Sequence, residues 1–304
     1  MKRSWLARLA VLPVLTLALA GCGDKPTPES SAPESSPAPS TFTATGTYKG
    51  EQITLTLVKK TDRLSCDGYM YFDNGYVTFW DINNFEDAEA DTENFYTCMD
   101  TEGNVVFTVP CDGLLSFNAE GITYGEEMDG TYFRINLQGE KTPVSDEEYE
   151  QAEAAILDSL PWRQPQNYGT FVETTDENGK EALRLILPDG TEAGLFPADE
   201  GEVNLIAPGL VTIGEYAEDV YLYNTDGEML YRAGFDEIGY FSDGIATFWR
   251  DDKMGLIGDD GTIIIPALTA IPTDMINRTP IHEGLIAVQN AYDSFVSIYR
   301  ITRE

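Results

Sequence analysis

The only histidine, His282, is the first residue to test for catalytic chemistry, because an imidazole exchanges protons near neutral pH. With one histidine among 304 residues, any Ser-His-Asp or Cys-His site would depend on it. It lies in the stretch PIHEGLI, and the sequence has neither a G-x-S-x-G motif nor a phosphate-binding glycine motif. We therefore interpret His282 as a loop residue, and we predict a non-enzymatic protein with no catalytic residue and no cofactor.

The acidic residues are numerous, and their spacing does not single out a metal site. Asp and Glu total 52, and the formal net charge is −33. The NTDG and DDG stretches resemble hairpin turns, and neither continues into a D-x-D-x-D-G calcium loop. One histidine cannot complete a Cys/His zinc set at the usual spacings. The sequence therefore predicts no metal ion, and its charge argues against nucleic acid as a partner. A solvated acidic surface fits this charge best, and cationic partners or loose association of divalent cations are the alternatives.

Three cysteines follow Cys22, namely Cys66, Cys98 and Cys111. An odd number leaves at least one free thiol or an intermolecular disulfide, and no C-x-x-C pair exists. We interpret them mainly as small buried apolar residues, a common use of cysteine.

Two tryptophans, Trp80 and Trp249, are candidate ligand contacts. An exposed indole ring can form a flat platform for a sugar or a peptide, which would suit a binding protein. The alternative is that both rings pack between neighbouring structural units, because aromatic residues at equivalent positions of a repeat usually serve the repeat itself.

These residues belong to a repeated unit of about 40 residues that fills most of residues 70–304. Each unit has a glycine before an apolar strand: Gly75, Gly121, Gly169, Gly209, Gly244 and Gly284. Successive glycines are 46, 48, 40, 35 and 40 residues apart, and Trp80 and Trp249 each lie five residues past their glycine. Alternating apolar positions after the glycine indicate one face of a β-strand.

A second strand and a third strand complete the unit. The second strand ends in an Asp-Gly or Glu-Gly turn, which between two apolar runs is a strong hairpin signal. The third strand is apolar, and we expect it to end at Pro110, Pro197 and Pro266 in three of the units, since proline suits a strand edge or exit.

The stretch FSDGIATFWRDDKMGLIGDDGTIIIP, from Phe241 to Pro266, resembles a unit of the bacterial WG-repeat family, also called KWG repeats. The resemblance rests on Phe241, Gly244, Ala246 and Phe248, on the run Met254-Gly255-Leu256-Ile257, and on Gly261 and Pro266. Met254 stands where the family has tryptophan, and no unit keeps a Trp-Gly pair. The resemblance implies a β-repeat fold and implies no reaction.

The predicted fold is an all-β repeat domain over residues 42–304 with one inserted helix near residues 145–160. Ser145 and Glu148 form a capping box at the start of the helix, and Pro161 follows its end. Residues 42–69 include two strands around Lys49-Gly50, while the last unit lacks a closing strand. Pairing of the two chain ends would close a ring. We therefore predict a β-propeller of six or seven blades, with an open β-solenoid as the alternative.

The chain begins with an export signal followed by a tether. Residues 1–21 combine a basic start, a short apolar stretch and small residues, as secretory signal peptides do. The Leu-Ala-Gly-Cys ending resembles a bacterial lipobox, which implies cleavage before Cys22 and acyl chains, such as palmitate, attached to that residue. Residues 22–41 are rich in Pro and Ser and form an extended lipid-attached tether. A transmembrane anchor is the alternative, although the apolar stretch is short for one.

Together these features predict an exported, lipid-anchored, extracytoplasmic β-repeat protein that acts as a binding or scaffolding module at the cell envelope. Its expected partners are the membrane, through the lipid, and an envelope protein or a wall glycan. The alternatives are a structural subunit of an envelope complex and, less favoured, a glycan-directed hydrolase.

Overall fold

The computed structural model describes residues 42–61, 64–65, 71–81, 95–160, 167–214, 220–231, 234–251, 253–272, 280–290 and 295–304. They belong to one compact unit, Pro39–Glu304. The signal peptide over residues 1–21, the tether over residues 22–41 with Cys22, and Cys66 lie outside the described residues, and these predictions stand as made.

The fold consists of six small antiparallel sheets, numbered sheet 1 to sheet 6. Sheet 1 contains β3 (Leu64–Ser65), β4 (Tyr76–Asp81), β5 (Phe95–Asp100) and β6 (Val105–Pro110). Sheet 2 contains β7 (Gly113–Leu114), β8 (Ile122–Glu126), β9 (Tyr132–Asn136) and β10 (Lys141–Pro143). Sheet 3 contains β11 (Thr170–Thr175), β12 (Glu181–Ile186) and β13 (Glu192–Pro197).

The remaining three sheets complete the set. Sheet 4 contains β14 (Glu202–Ala207), β15 (Leu210–Gly214) and β16 (Tyr221–Asn224). Sheet 5 contains β17 (Glu237–Ile238), β18 (Ile245–Arg250), β19 (Lys253–Gly258) and β20 (Ile263–Pro272). Sheet 6 contains β1 (Thr43–Tyr48), β2 (Glu51–Lys60), β21 (Leu285–Asn290) and β22 (Phe295–Arg303). Sheets 1 to 5 each use one continuous part of the chain, as the predicted repeat requires.

Short polar turns connect the paired strands. In the turn between β5 and β6, Asp100 Oδ1 accepts hydrogen bonds of 2.9 Å from the N–H groups of both Glu102 and Asn104. Asn224 makes the same pair of contacts in the turn after β16, at 3.1 and 2.9 Å. Side chains of this kind stabilise tight turns by adding to the main-chain hydrogen bonds of the turn. The NTDG stretch is therefore a turn, as the sequence predicts.

Sheet 6 joins the two ends of the domain, as the sequence predicts. Its strand order is β1-β2-β22-β21, so the first hairpin of the domain pairs with its last strand. Ile53 lies opposite Arg303, and the ladder continues to Lys60 opposite Ser297. An open solenoid does not bring its first and last units together in this way. The pairing therefore favours the propeller over the alternative.

Five buried apolar clusters in the described part of the chain each join two sheets that are neighbours in the order of the chain. Ile53 of sheet 6 packs with Leu256 of sheet 5, and Ile298 of sheet 6 packs with Phe79 of sheet 1. Further clusters join sheet 1 to sheet 2, sheet 3 to sheet 4, and sheet 4 to sheet 5. The fold is thus all-β, of the β-propeller kind, with six sheets in the described part of the chain.

Helix α1 (Asp146–Ser159) follows sheet 2 and matches the predicted insertion. The Ser145 hydroxyl accepts the N–H of Glu148 at 3.2 Å, and three acidic residues occupy the first turn, which suits the positive end of the helix dipole. Tyr149 stacks on Tyr132 of sheet 2 with ring centroids 4.1 Å apart. Among the described residues, no helix is long and apolar enough to cross a membrane.

Two of the three predicted strand ends are correct. β6 ends at Pro110 and β13 ends at Pro197, whereas β20 continues past Pro266 to Pro272. The register between β19 and β20 shifts between Leu256, which faces Ile265, and Met254, which faces Leu268. Pro266 lies within this irregular stretch of an edge strand, a position where proline is tolerated, and the strand continues past it.

Candidate functional site

The candidate site is built from the turns that open the main strand of each sheet, which we name the opening turns. In sheets 1, 5 and 6 these are Asn74-Gly75, Asp243-Gly244 and Glu283-Gly284, and all six residues have positive φ. Positive φ at both central residues is the mark of the tight type I′ hairpin turn, whose second position glycine tolerates best. The predicted role of glycine before the strand is thus correct in these sheets.

A cavity of 530 Å³, which we name the end pocket, lies where the opening turns of four sheets meet. Its lining includes Tyr168 of sheet 3, Pro208 of sheet 4, Asp243 and Asp259 of sheet 5, and His282 and Glu283 of sheet 6. Asp243 and Glu283 are exposed, while Asp259 and Tyr168 are half-buried. The pocket therefore presents carboxylates and an aromatic ring at one end of the fold.

On one side of the pocket, Asp259 joins sheet 5 to the first hairpin of sheet 6. Its Oδ1 atom accepts a hydrogen bond from Lys49 Nζ at 2.8 Å and another from the Tyr48 hydroxyl. Burial alone would raise the pKa of Asp259, but the hydrogen bonds from Lys49 and Tyr48 lower it below its ordinary value. The same contact raises the pKa of Lys49. The charged forms of both residues are therefore favoured.

On the other side of the pocket, His282 and Glu283 contact sheet 1. His282 Nδ1 lies 2.5 Å from the carbonyl oxygen of Phe72, and the N–H of Gly75 donates to Glu283 Oε2 at 2.7 Å. Asp73, the residue before the opening turn of sheet 1, offers a carboxylate oxygen within 4.8 Å of donor atoms from both His282 and Glu283. This trio contains the donor types that a divalent cation could use.

The two tryptophans occupy equivalent strand positions but differ in exposure. Trp249 is 2% exposed and packs in the cluster between sheets 5 and 6, so its ring is not presented to solvent. Trp249 therefore packs between structural units, which was the alternative given in the sequence analysis. The expectation that it forms an exposed platform for a ligand is corrected at this residue. Trp80 is half-buried in β4. Ligand contact at Trp80 stays a prediction.

Cys98 and Cys111 are both free and fully buried between sheets 1 and 2. Burial raises the pKa of each thiol to about 12, so neither forms a reactive thiolate near neutral pH. This agrees with their interpretation as small apolar residues.

Sequence reasoning placed His282 in a loop before a strand, and the structure does so too. The sequence analysis did not identify the end pocket, because turns that come together at this end of the fold lie far apart in the chain. Gly75 and Glu283, for example, are separated by 208 residues. A usable signal was present in the repeat, since Asn74, Asp243 and Glu283 each precede an aligned glycine. Polar residues at one aligned turn position of a closed repeat are expected to meet at one end of it.

Three comparisons with known proteins bear on this fold. Residues 222–253 match the family model described as WG containing repeat, which supports a protein built of WG repeats. The matched residues run from β16 of sheet 4 to the start of β19 in sheet 5 and overlap the stretch that begins at Phe241. No curated protein matches the chain.

Among solved structures, one similar chain is a structural genomics protein of unknown function from Bacteroides thetaiotaomicron. The two are 13% identical, the match covers 83% of this chain and 76% of that one, and the TM-score is 0.31. Another is the β-propeller domain of Cps50 (Swd1) from Myceliophteria thermophila, at 9% identity, with 81% of this chain and 99% of that chain covered and a TM-score of 0.28. At these TM-scores neither likeness adds to the argument from the sheets themselves.

Proposed function

We propose that this chain is an exported, lipid-anchored, non-enzymatic binding protein of the cell envelope, and that the end pocket contacts its partner. The observation that carries the proposal is the convergence of opening turns from four sheets around one acidic cavity. A rigid scaffold that presents short turns at one end is a common arrangement for binding proteins.

The size of the end pocket suits a small group or a side chain rather than a bulk surface. Its 530 Å³ lies within the range of about 300–1,000 Å³ typical of ligand pockets. Tight turns with positive φ at Asp243 and Glu283 hold two of its carboxylates on short, defined connections. Such sites bind with little loss of conformational freedom.

The charge of the pocket favours a cationic partner. Asp243 and Glu283 line the cavity beside Asp259, whose charge is already balanced by Lys49, and the whole chain carries a net charge of −33. Tyr168 and Phe241 add aromatic rings to the same lining, and a ring face attracts an ammonium or guanidinium group. We therefore propose a lysine- or arginine-bearing segment of an envelope protein as the partner.

Export and anchoring rest on the sequence of residues 1–41, with Cys22 as the proposed lipid attachment site. Metabolic labelling with palmitate in a bacterial host, for the wild type and for Cys22→Ala, tests this part separately. Labelling that persists in the variant would contradict the assignment.

The binding proposal is tested by capture from solubilised cell envelope of the source organism, using the immobilised full chain in detergent. Asp243→Asn removes a carboxylate from the pocket while keeping a residue that accepts positive φ. Asp251→Asn is the matched control, because Asp251 is an exposed aspartate with φ 52 at the opposite end of β18. We expect D243N to lower capture of the partner about threefold, as loss of one exposed charge pair does, and D251N to leave it unchanged.

Protein and polysaccharide fractions are tested separately. The proposal is supported if a protein is captured specifically and if both D243N and added salt weaken its capture. Both changes reduce the charge attraction between the pocket and a cationic partner. Capture of wall glycan alone, or equal effects of D243N and D251N, would overturn the assignment of the pocket to a cationic protein segment.

A further inference from the structure

We propose that Asp73, His282 and Glu283 form a binding site for a divalent transition-metal ion, held between sheets 1 and 6 beside the end pocket. The inference goes beyond the proposed function, because metal binding is measurable without the partner of the pocket. Its basis is the chemistry and positioning of three side chains from two sheets.

The donor set consists of two carboxylates and one imidazole. One donor atom from each residue lies within 4.8 Å of the others. Around a tetrahedral ion with bonds of about 2.0–2.2 Å, donors lie roughly 3.4 Å apart. The donors must therefore approach one another to bind one ion, and the exposed Glu283 is the side chain with most room to move. Mixed nitrogen and oxygen donors favour zinc and its first-row neighbours over calcium, which takes oxygen ligands.

The hydrogen bond of His282 prepares its ring for metal binding. A carbonyl oxygen only accepts hydrogen bonds, so the contact of 2.5 Å with Phe72 places the proton on Nδ1. The lone pair of the neutral ring is then on Nε2. Metal-binding histidines characteristically donate their second ring N–H to a backbone carbonyl or a carboxylate, which fixes both the tautomer and the orientation of the ring.

The two carboxylates are also held in place. Glu283 Oε2 accepts the Gly75 N–H at 2.7 Å, and Asp73 Oδ1 accepts from Asn74 Nδ2 at 3.2 Å. Asp73 is 9% exposed, so its orientation is restricted by its surroundings. Each carboxylate has a second oxygen with which to bind an ion.

The local charge balance favours a cation at this position. Among the residues that the structure describes, no lysine or arginine forms an ion pair with Asp73 or Glu283. Asp73 is also largely removed from solvent, at 9% exposure. A buried carboxylate is unfavourable without a compensating charge. A divalent ion would compensate two carboxylates at once.

Three protein ligands leave a fourth position of a tetrahedral ion for water or for a ligand. His282 and Glu283 also line the end pocket, so the ion would lie at the edge of that cavity. The ion would also connect sheet 1 to sheet 6, so its binding should stabilise the folded state.

Isothermal titration of the chelator-treated full chain with ZnCl₂ tests the proposal. We expect one tight equivalent of Zn²⁺, bound more tightly than Ca²⁺, together with a rise in the melting temperature. His282→Ala, Asp73→Asn and Glu283→Gln should each weaken that equivalent at least about tenfold. Glu283→Gln is the safest variant, because the glutamine carbonyl still accepts the Gly75 N–H.

The control separates this site from the acidic surface. The double variant Glu150→Gln/Glu177→Gln removes one exposed carboxylate from helix α1 and one from the turn after β11. It should leave the tight binding of one Zn²⁺ ion unchanged. Circular dichroism confirms that each variant is folded. Two results would overturn the proposal. One is that the wild type binds no Zn²⁺ ion tightly; the other is that it binds several Zn²⁺ ions weakly and the folded Glu283→Gln variant binds them with the same affinity.

Discussion

At the scale of single residues, Asp259 is the side chain that most directly links the end pocket to the closure of the fold. It lines the cavity and also accepts hydrogen bonds from Tyr48 and Lys49 of the first hairpin. Its pKa is lowered by these hydrogen bonds despite partial burial. Its contribution to stability should therefore depend on pH.

We expect Asp259→Asn to lower the free energy of unfolding at pH 7. A carboxylate whose pKa is lower in the folded state contributes stability above its unfolded pKa, which is about 3.9. That contribution is lost as the pH falls through the folded value. The difference between wild type and variant should therefore shrink below about pH 4, and urea denaturation at a series of pH values measures it. A constant difference down to the lowest pH at which both proteins fold would contradict this expectation. Asp226→Asn, an exposed turn aspartate, is the control.

The roles of single residues were the feature of the protein that was hardest to predict from the sequence. The types of His282 and Trp249 suggested catalysis and a ligand platform, and only packing decides between such roles and a structural one. Trp249 is buried because both faces of β18 are covered, and five of its six residues are buried. The trio of Asp73, His282 and Glu283 has no motif, since its members come from the two ends of the domain.

At the scale of elements, the contact between β1 and β20 depends on the absence of a side chain at Gly46. A Cβ atom at this position would lie 1.9 Å from the carbonyl oxygen of Ile264. Backbone atoms cannot easily move apart without separating two sheets. Gly46 thus sets how closely sheet 6 approaches sheet 5.

Gly46→Ala should lower the free energy of unfolding by about 1–3 kcal/mol, the usual cost of overpacking. Gly113→Ala is the matched control: no atom lies within 4 Å of its Cβ position and its φ is not positive. The control should change stability by less than about 1 kcal/mol. Chemical denaturation of both variants measures the difference, and equal effects would show that the close approach is not limiting.

The positions of the helix and of the hairpins were the features best predicted from the sequence. The capping box placed the start of helix α1, and the Asp-Gly turns placed the hairpins, because both signals act within a few residues. β20 was predicted too short, since a register shift that accommodates Pro266 depends on the neighbouring strand rather than on local sequence.

At the scale of the whole molecule, the two ends of the domain form one sheet. Leu55 of β2 is fully buried in the cluster that joins sheets 5 and 6, and it lies opposite Ile301 of β22. The first hairpin is thus part of the core rather than an appendage. The sequence predicted this closure, because it showed two extra strands at the start of the repeats and a missing strand at the end.

We expect Leu55→Ala to lower the free energy of unfolding by about 2–5 kcal/mol, the range for a large buried aliphatic side chain. Thr56→Ala, at the adjacent half-buried position, should cost markedly less. Fluorescence and circular dichroism should report the same midpoint if the closure is cooperative with the rest of the fold. Separate transitions, with the first hairpin detaching early, would contradict this view.

The direction of β1 also gives the molecule a polarity. β1 ends at Tyr48, whose hydroxyl contacts Asp259 at the end pocket. Its first residue, Thr43, therefore lies at the far end of the strand, about 17 Å from Tyr48 at the usual rise per residue. The chain therefore enters sheet 6 at the end of β1 that lies away from the cavity.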